Sequence, residues 1–309
     1  MTTILLAVYN GLPYLPEQIR SILSQTAQDF TLHIRDDGST DDSFLVAQEF
    51  MKKYPSKITI SRSKPGTGSA KDNFWGMLMQ ADDDYIMFCD HDDVWLPDKI
   101  ELTLAAMREL EQASAPGTPV LVHTDLSVVD QDLQLIDPSM FHMQGMDAAR
   151  NALRQLLVQN IVTGCTVMIN RPLQKLAKYP ALPGMIMHDW WLALVATIYG
   201  KIGFIGKPTI LYRQHSKNTI GAKDVLSLSY MLHISKTWKS VRENVQDTYG
   251  QAQALLDAYE PSLPEPALSL LQAYVNLPEL PKLVRVIAAW RMGFVKNGIL
   301  RKLVSILYL

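Results

Sequence analysis

Residues 85–93 read Tyr-Ile-Met-Phe-Cys-Asp-His-Asp-Asp, five apolar residues running without a break into three carboxylates and an imidazole. An apolar run with no polar alternation offers no face to water, so it reads as a strand buried on both sides, as in a parallel sheet covered by helices. The polar cluster then falls at the carboxyl end of that strand, where open α/β sheets place their ligands. Two other stretches repeat the pattern. Thr3–Val8 is a short apolar run ended by Tyr9-Asn10-Gly11, and Thr31–Arg35 is halted by Asp36-Asp37-Gly38-Ser39-Thr40-Asp41, whose last residues suit the cap of a following helix.

Helical spacing fills the intervals. Tyr14–Gln25 sets Leu15, Ile19, Ile22 and Leu23 on one face, and Phe44–Met51 and Asp72–Gln80 follow as helices around a strand at Ile58–Ser61. Regular alternation over the first hundred residues predicts an α/β fold with a doubly wound, mostly parallel central sheet. Beyond it we expect a helix from Lys99 to about Ala113, a strand pair around Val120–Val129, a strand at Asn160–Ile169, a buried helix at His188–Tyr199 and a strand at Thr209–Leu211. From Lys223 the pattern turns mostly helical, punctuated by prolines at 261, 264, 266, 278 and 281. The expected division is a catalytic domain over 1–222 and a helical C-terminal extension over 223–309.

Composition narrows the function. Of 309 residues, 48% are apolar and 19% charged, which excludes a disordered chain. The 29 basic residues nearly balance the 31 acidic ones, so the phosphate-tracking excess of a nucleic-acid binder is missing. Two cysteines, Cys89 and Cys165, are too few for a disulfide framework and read as buried thiols. Met1–Val8 enters apolar β-formers with no basic leader, so we expect synthesis to end in the cytoplasm. No stretch approaches the ~18 uncharged apolar residues that a spanning helix needs.

Three segments carry chemistry. In the turn Asp90-His91-Asp92-Asp93, mutual repulsion of carboxylates calls for a compensating cation, and oxygen ligands suit magnesium or manganese together with substrate phosphates. The plainer reading is a solvated acidic turn leading into Leu96-Pro97-Asp98. Met187-His188-Asp189-Trp190-Trp191 puts an ionisable pair at the head of a buried helix, which is costly unless the pair is used or partnered; Asp189 reads otherwise as a helix cap, and the tryptophans as core before sugar-stacking platforms. Leu211–Asn218 offers Arg213 and Lys217 as phosphate partners by charge, with His215 by default a hydrogen-bonded histidine. The glycine-rich loop 66–71 brings Lys71, with Asn73 just beyond, within the range of a base or ribose contact, or is simply a strand-to-helix connection.

Taken together, Ala7-Val8-Tyr9-Asn10-Gly11, Arg35-Asp36-Asp37-Gly38-Ser39-Thr40-Asp41 and Asp90-His91-Asp92-Asp93-Val94-Trp95 resemble the family 2 glycosyltransferases, over roughly the first 220 residues and in order. The resemblance implies the nucleotide-diphosphosugar transferase (GT-A) fold and an inverting, metal-dependent transfer of a sugar to a hydroxyl. It makes Asp37 a contact to the pyrimidine base, Ala7 and Tyr9 part of the nucleotide pocket, Asp90 a ribose or sugar contact and Asp92 the metal-binding aspartate. It raises His215 to a metal or diphosphate contact and makes Asp189 the general base; His91 is assigned no role. Within the family, the motifs together with His-Asp-Trp and Tyr-Arg-Gln-His look most like rhamnosyltransferases using dTDP-rhamnose, with a UDP-sugar as the alternative donor. The acceptor this implies is a bacterial-type surface polysaccharide, lipid-linked or free.

The C-terminal stretch 282–309 holds Lys282, Arg285, Arg291, Lys296, Arg301 and Lys302 and no acidic residue, in a chain whose net charge is −2. Interleaved with apolar residues, these suit peripheral contact with an anionic membrane; a helix docked on the catalytic domain or on a second subunit of a homo-oligomer is the rival. Two other functions compete: a sugar-phosphate nucleotidyltransferase, disfavoured because Tyr9-Asn10-Gly11-Leu12-Pro13 lacks a basic phosphate loop, and a non-catalytic membrane-surface scaffold.

Overall fold

The computed structural model describes residues 1–177, 184–215, 238–298 and 301–302. The first hundred residues alternate as expected: β1 (Thr2–Val8), α1 (Leu15–Leu23), β2 (Phe30–Asp36), α2 (Ser43–Lys53), β3 (Ile58–Arg62), α3 (Ala70–Gln80), β4 (Tyr85–Asp90), β5 (Val94–Trp95) and α4 (Lys99–Gln112). Then come β6 (Val120–Val129), β7 (Leu135–Asp137), α5 (Met140–Met143), α6 (Leu153–Leu156), β8 (Met168–Asn170), α7 (Arg171–Ala177), α8 (His188–Tyr199) and β9 (Lys201–Arg213). Helices Trp238–Tyr259, Glu265–Val275 and Lys282–Met292 form the C-terminal part.

The chain divides into two compact units. The first comprises Met1–Met140, Val162–Lys178 and Lys201–Ala222; the second comprises Phe141–Ile161, Tyr179–Gly200 and Lys223–Leu309. In the first unit one sheet runs in the order β3-β2-β1-β4-β8-β6-β9-β5, with β7 paired to β6. The β3-β2-β1-β4 half is parallel, as the unbroken apolar runs require, and every residue of β1 is buried. The other half is mixed: β8 lies antiparallel between β4 and β6, β9 is parallel to β6, and β5 is antiparallel to β9.

Two expectations are corrected. Asn160–Ile169 is not one strand. A single 3-10 turn, Gly164–Thr166, interrupts it and only Met168–Asn170 pairs. The hydroxyl of Thr166 donates to the carbonyl of Thr163 at 2.6 Å, a local bond that competes with ladder formation. The expected pair around 120–129 is one ten-residue strand, whose short antiparallel partner is β7, reached through a turn closed by Asp130.

In the second unit α8 is apolar around most of its circumference, with Trp191, Leu192, Ala193, Leu194, Val195 and Ala196 all buried. The ring of Trp191 lies 6.2 Å from that of Tyr259, and the amide of Ile186 donates to Gln251 Oε1. Helix Lys282–Met292 ends at Gly293, whose φ of +79° is the left-handed stop that glycine tolerates without cost.

Candidate active site

The carboxyl ends of β2, β1 and β4 lie side by side, because Ala7 pairs in register with Arg35 on one side and Asp90 on the other. The loops beyond them are stitched together. Asn10, at φ +47°, accepts the Thr40 amide on its side-chain oxygen, while the amides of Asn10, Gly11 and Leu12 donate to Ser39 Oγ, Ser43 Oγ and Asp41 Oδ2. Two of the sequence motifs are therefore one structure, which leaves Tyr9 56% exposed at its edge.

Asp37 is 5% exposed and held by the glycine-rich loop: Oδ1 accepts the Thr67 amide at 2.6 Å, and Oδ2 accepts the Thr67 hydroxyl and the Gly68 amide. A Cβ at Gly66 would stand 2.2 Å from the Asp37 carbonyl oxygen, so the close approach depends on glycine. Lys71 is half-buried in the first turn of α3, where Ser69 caps the helix by accepting the Asp72 amide.

The acidic turn is positioned by β5. Val94 pairs antiparallel with Leu211, so residues just before Val94 meet residues just after Leu211. Asp92 and His215 are brought together in this way, with Asp92 Oδ2 2.9 Å from His215 Nε2. The imidazole is stacked on Tyr14 of the loop entering α1, centroids 5.0 Å apart at 23°. Arg213, expected at a phosphate, is 3% exposed and engaged at each guanidinium nitrogen: Nε donates to the Asp92 carbonyl, Nη1 to the Gln131 carbonyl and Nη2 to Glu17 at 2.6 Å. Its amide donates to Asp93 Oδ1. Lys217 lies outside the described residues.

Donor atoms of Asp90, Asp93 and Cys165 all fall within 4.8 Å of one another. Burial pushes the Asp93 carboxyl well up, and the charges of Asp92 and Asp90 push it further. Burial also raises the Cys165 thiol well above its ordinary value, which keeps it a neutral thiol and a poor partner for a hard cation. Asp92 and His215, whose polar atoms meet, are residues that could hold a magnesium or manganese ion. Cys165 is the buried thiol expected from the sequence, whereas Tyr14, Glu17 and Thr67 were not singled out. The first two had a weak signal in Tyr-Leu-Pro-Glu at the start of α1.

In the second unit Asp189 lies in the first turn of α8, 8% exposed, with Oδ1 accepting the Trp190 amide at 2.7 Å. It is inside the helix; the cap position is Met187. A carboxylate there is favoured by the exposed N–H groups of the first turn. His188 is fully buried, and burial lowers its imidazole to about 3, so it is neutral at physiological pH. Trp191 is core, as expected, whereas Trp190 is half-exposed and its Nε1 donates to the Leu156 carbonyl at 2.6 Å.

The profile of Glycosyl transferase family 2 matches residues 3–176. The chain belongs to that family. This glycosyltransferase is 30% identical over 235 residues, 73% of its own length and 76% of the relative's, to the dTDP-rhamnosyl transferase RfbG of Shigella flexneri. Its fold is shared with S. aureus TarS in complex with UDP-GlcNAc, at TM-score 0.56 and 14% identity over 95% of this chain and 88% of that one. The mannosyltransferase PcManGT of Pyrobaculum calidifontis, in complex with GDP-Man and Mn2+, aligns at TM-score 0.54 and 17% identity over 94% of this chain and 72% of that one. The nucleotidyltransferase and scaffold readings give way to a glycosyltransferase with a GT-A fold and C-terminal helices. No helix among the described residues is long and apolar enough to cross a membrane.

Proposed function

We propose that this glycosyltransferase moves L-rhamnose from dTDP-rhamnose to a hydroxyl of a lipid-linked or polysaccharide acceptor, with inversion at the sugar carbon. The observation that carries the donor assignment is the 30% identity to a dTDP-rhamnosyl transferase across 73% of this chain. Asp37, beside the Thr67–Gly68 clasp, takes the base edge, with Ala7, Tyr9 and Lys71 around the nucleotide and Asp90 toward the ribose or sugar. Asp92 and His215 would hold manganese or magnesium, which when bound neutralises the charge that builds on a leaving diphosphate. Asp189 accepts the proton of the acceptor hydroxyl as it attacks from the face opposite the nucleotide. Arg213 holds the Asp92–Asp93 turn in place, through the Asp92 carbonyl oxygen and Asp93 Oδ1.

The proposed location is the cytoplasm, at the inner face of the cell membrane. Supporting it, Leu283, Val284, Ile287 and Trp290 of helix Lys282–Met292 are all exposed in the basic C-terminal stretch. The test is calorimetry with dTDP, UDP, GDP and CDP, each with and without manganese. Selective, manganese-dependent dTDP binding is expected; a preference for UDP changes the donor. Asp189→Asn should abolish turnover while leaving dTDP binding intact, and a normal rate would remove it as the base.

A further inference from the structure

We propose that the second unit carries a seat for a neutral sugar ring of the acceptor glycan, in the cleft formed by Trp190, Asn160, Asn244, Asp247 and Lys296. The cleft is shallow and open to solvent on one side, with room of about 300 Å³, at the small end of the ~300–1,000 Å³ of small-molecule sites. This deepens the transferase reading and rests on it for the word acceptor.

The lining has the chemistry of saccharide recognition. A sugar ring presents an apolar face of C–H groups and a rim of hydroxyls that both donate and accept. Trp190 supplies a flat apolar surface, and its Nε1–Leu156 bond fixes the indole before any ligand arrives, which lowers the ordering cost of binding. Amide and carboxylate side chains surround it. Asn244 and Asp247 stand three residues apart on helix Trp238–Tyr259, hence on one face, and both are exposed. Asn160 contributes from a different segment and Lys296 from beyond helix Lys282–Met292.

Two further lining residues serve as wall. Gln159 Oε1 accepts the Asn297 amide, and the Thr248 hydroxyl is bonded to the Val245 carbonyl and Tyr274. The balance of charge sets the ligand class. A phosphate clamp gathers cations without acids, whereas here Asp247 lines the same cleft as Lys296. Trp190 directly follows Asp189 in α8, and this adjacency in the chain is the ground for assigning a ring stacked on Trp190 to the acceptor.

The test uses the full chain. Saturation-transfer NMR is run with methyl α-L-rhamnoside, methyl N-acetyl-β-D-glucosaminide and methyl β-D-galactoside, with inorganic phosphate as a competitor. Trp190→Phe identifies the Trp190 indole N–H signal in labelled protein. At least one glycoside should bind, shift that signal and lose about tenfold in affinity in Asn244→Ala/Asp247→Ala, while dTDP binding and the melting temperature stay unchanged. Absence of binding by every glycoside, binding that the double substitution does not weaken, or displacement by phosphate would overturn the proposal. Because dTDP binding is read separately, glycoside binding without it keeps the cleft and refutes the transferase assignment, and the reverse refutes the cleft alone.

Discussion

Arg213 shows how much one buried side chain can organise. Its guanidinium joins the acidic turn, the turn after β6 and helix α1, so Arg213→Met should strip two carbonyls and a carboxylate of their donor. We expect a loss of about 3 kcal/mol in urea unfolding, together with weaker manganese-dependent binding as the Asp92 turn loosens. Asp92→Ala should leave stability nearly unchanged and abolish the manganese dependence of dTDP affinity; equal affinity with and without manganese in both proteins would remove Asp92 as a metal ligand. At this scale the position of the acidic turn at a strand end was legible, because an unbroken apolar run leads straight into it. The partners of Arg213 were not, since two of its acceptors are backbone carbonyls that the β5–β9 and β6–β9 pairings bring within reach. Asp37 was legible as part of a polar segment at a strand end, but its burial was not. Nor was its clasp by Thr67, because a glycine-rich loop looks the same in sequence whether or not it folds over a carboxylate.

Elements were read most accurately where apolar periodicity was strong. β1, β2 and β4 were found to within a residue or two, whereas Asn160–Ile169 was misjudged because Gly164 and Thr166 bend a chain whose composition is that of a strand. The loop after β3 offers a direct test of its own packing. Gly66→Ala would drive a methyl into the Asp37 carbonyl, and the loop must retreat. We expect a loss of about 1–3 kcal/mol and reduced dTDP affinity in a thermal-shift titration; unaltered affinity would place the base elsewhere. On β6, His123 is fully buried against Phe204, and burial lowers its imidazole from 6.5 to about 3. The folded protein keeps this ring neutral while the unfolded chain takes up a proton below 6.5. Stability is thus complete above that value and falls as the pH drops toward 3, by up to about 1.4 kcal/mol per pH unit for one such group. His188 acts in the same direction. Urea unfolding between neutral pH and about pH 5 should therefore show a shallower slope for His123→Leu, and an identical slope would mean that the unfolded-state difference lies elsewhere.

For the whole molecule, the exposed face of helix Lys282–Met292 bears on where the enzyme works. Leu283→Ser/Ile287→Ser/Trp290→Ser should release the protein from vesicles containing anionic lipid without lowering its melting temperature, since these side chains are already in water. Retention on such vesicles would end the membrane proposal. Point substitutions are preferred to truncation because the second unit is not a tail. It collects Phe141–Ile161 and Tyr179–Gly200 from within the chain before adding its C-terminal helices.

That interleaving governs how the protein comes off the ribosome. Helix α8, with its nearly continuous apolar surface, is synthesised well before Tyr259, whose ring lies beside Trp191 in the finished fold. At ~5–20 residues per second the nascent helix waits for seconds before that partner exists. During the interval it is a sticky, uncovered segment on a chain whose first strands can already pair. Yield in the cell should then depend on holding chaperones and on translation speed through residues 200–260, a vulnerability set by the order of the segments and not by the stability of the completed enzyme.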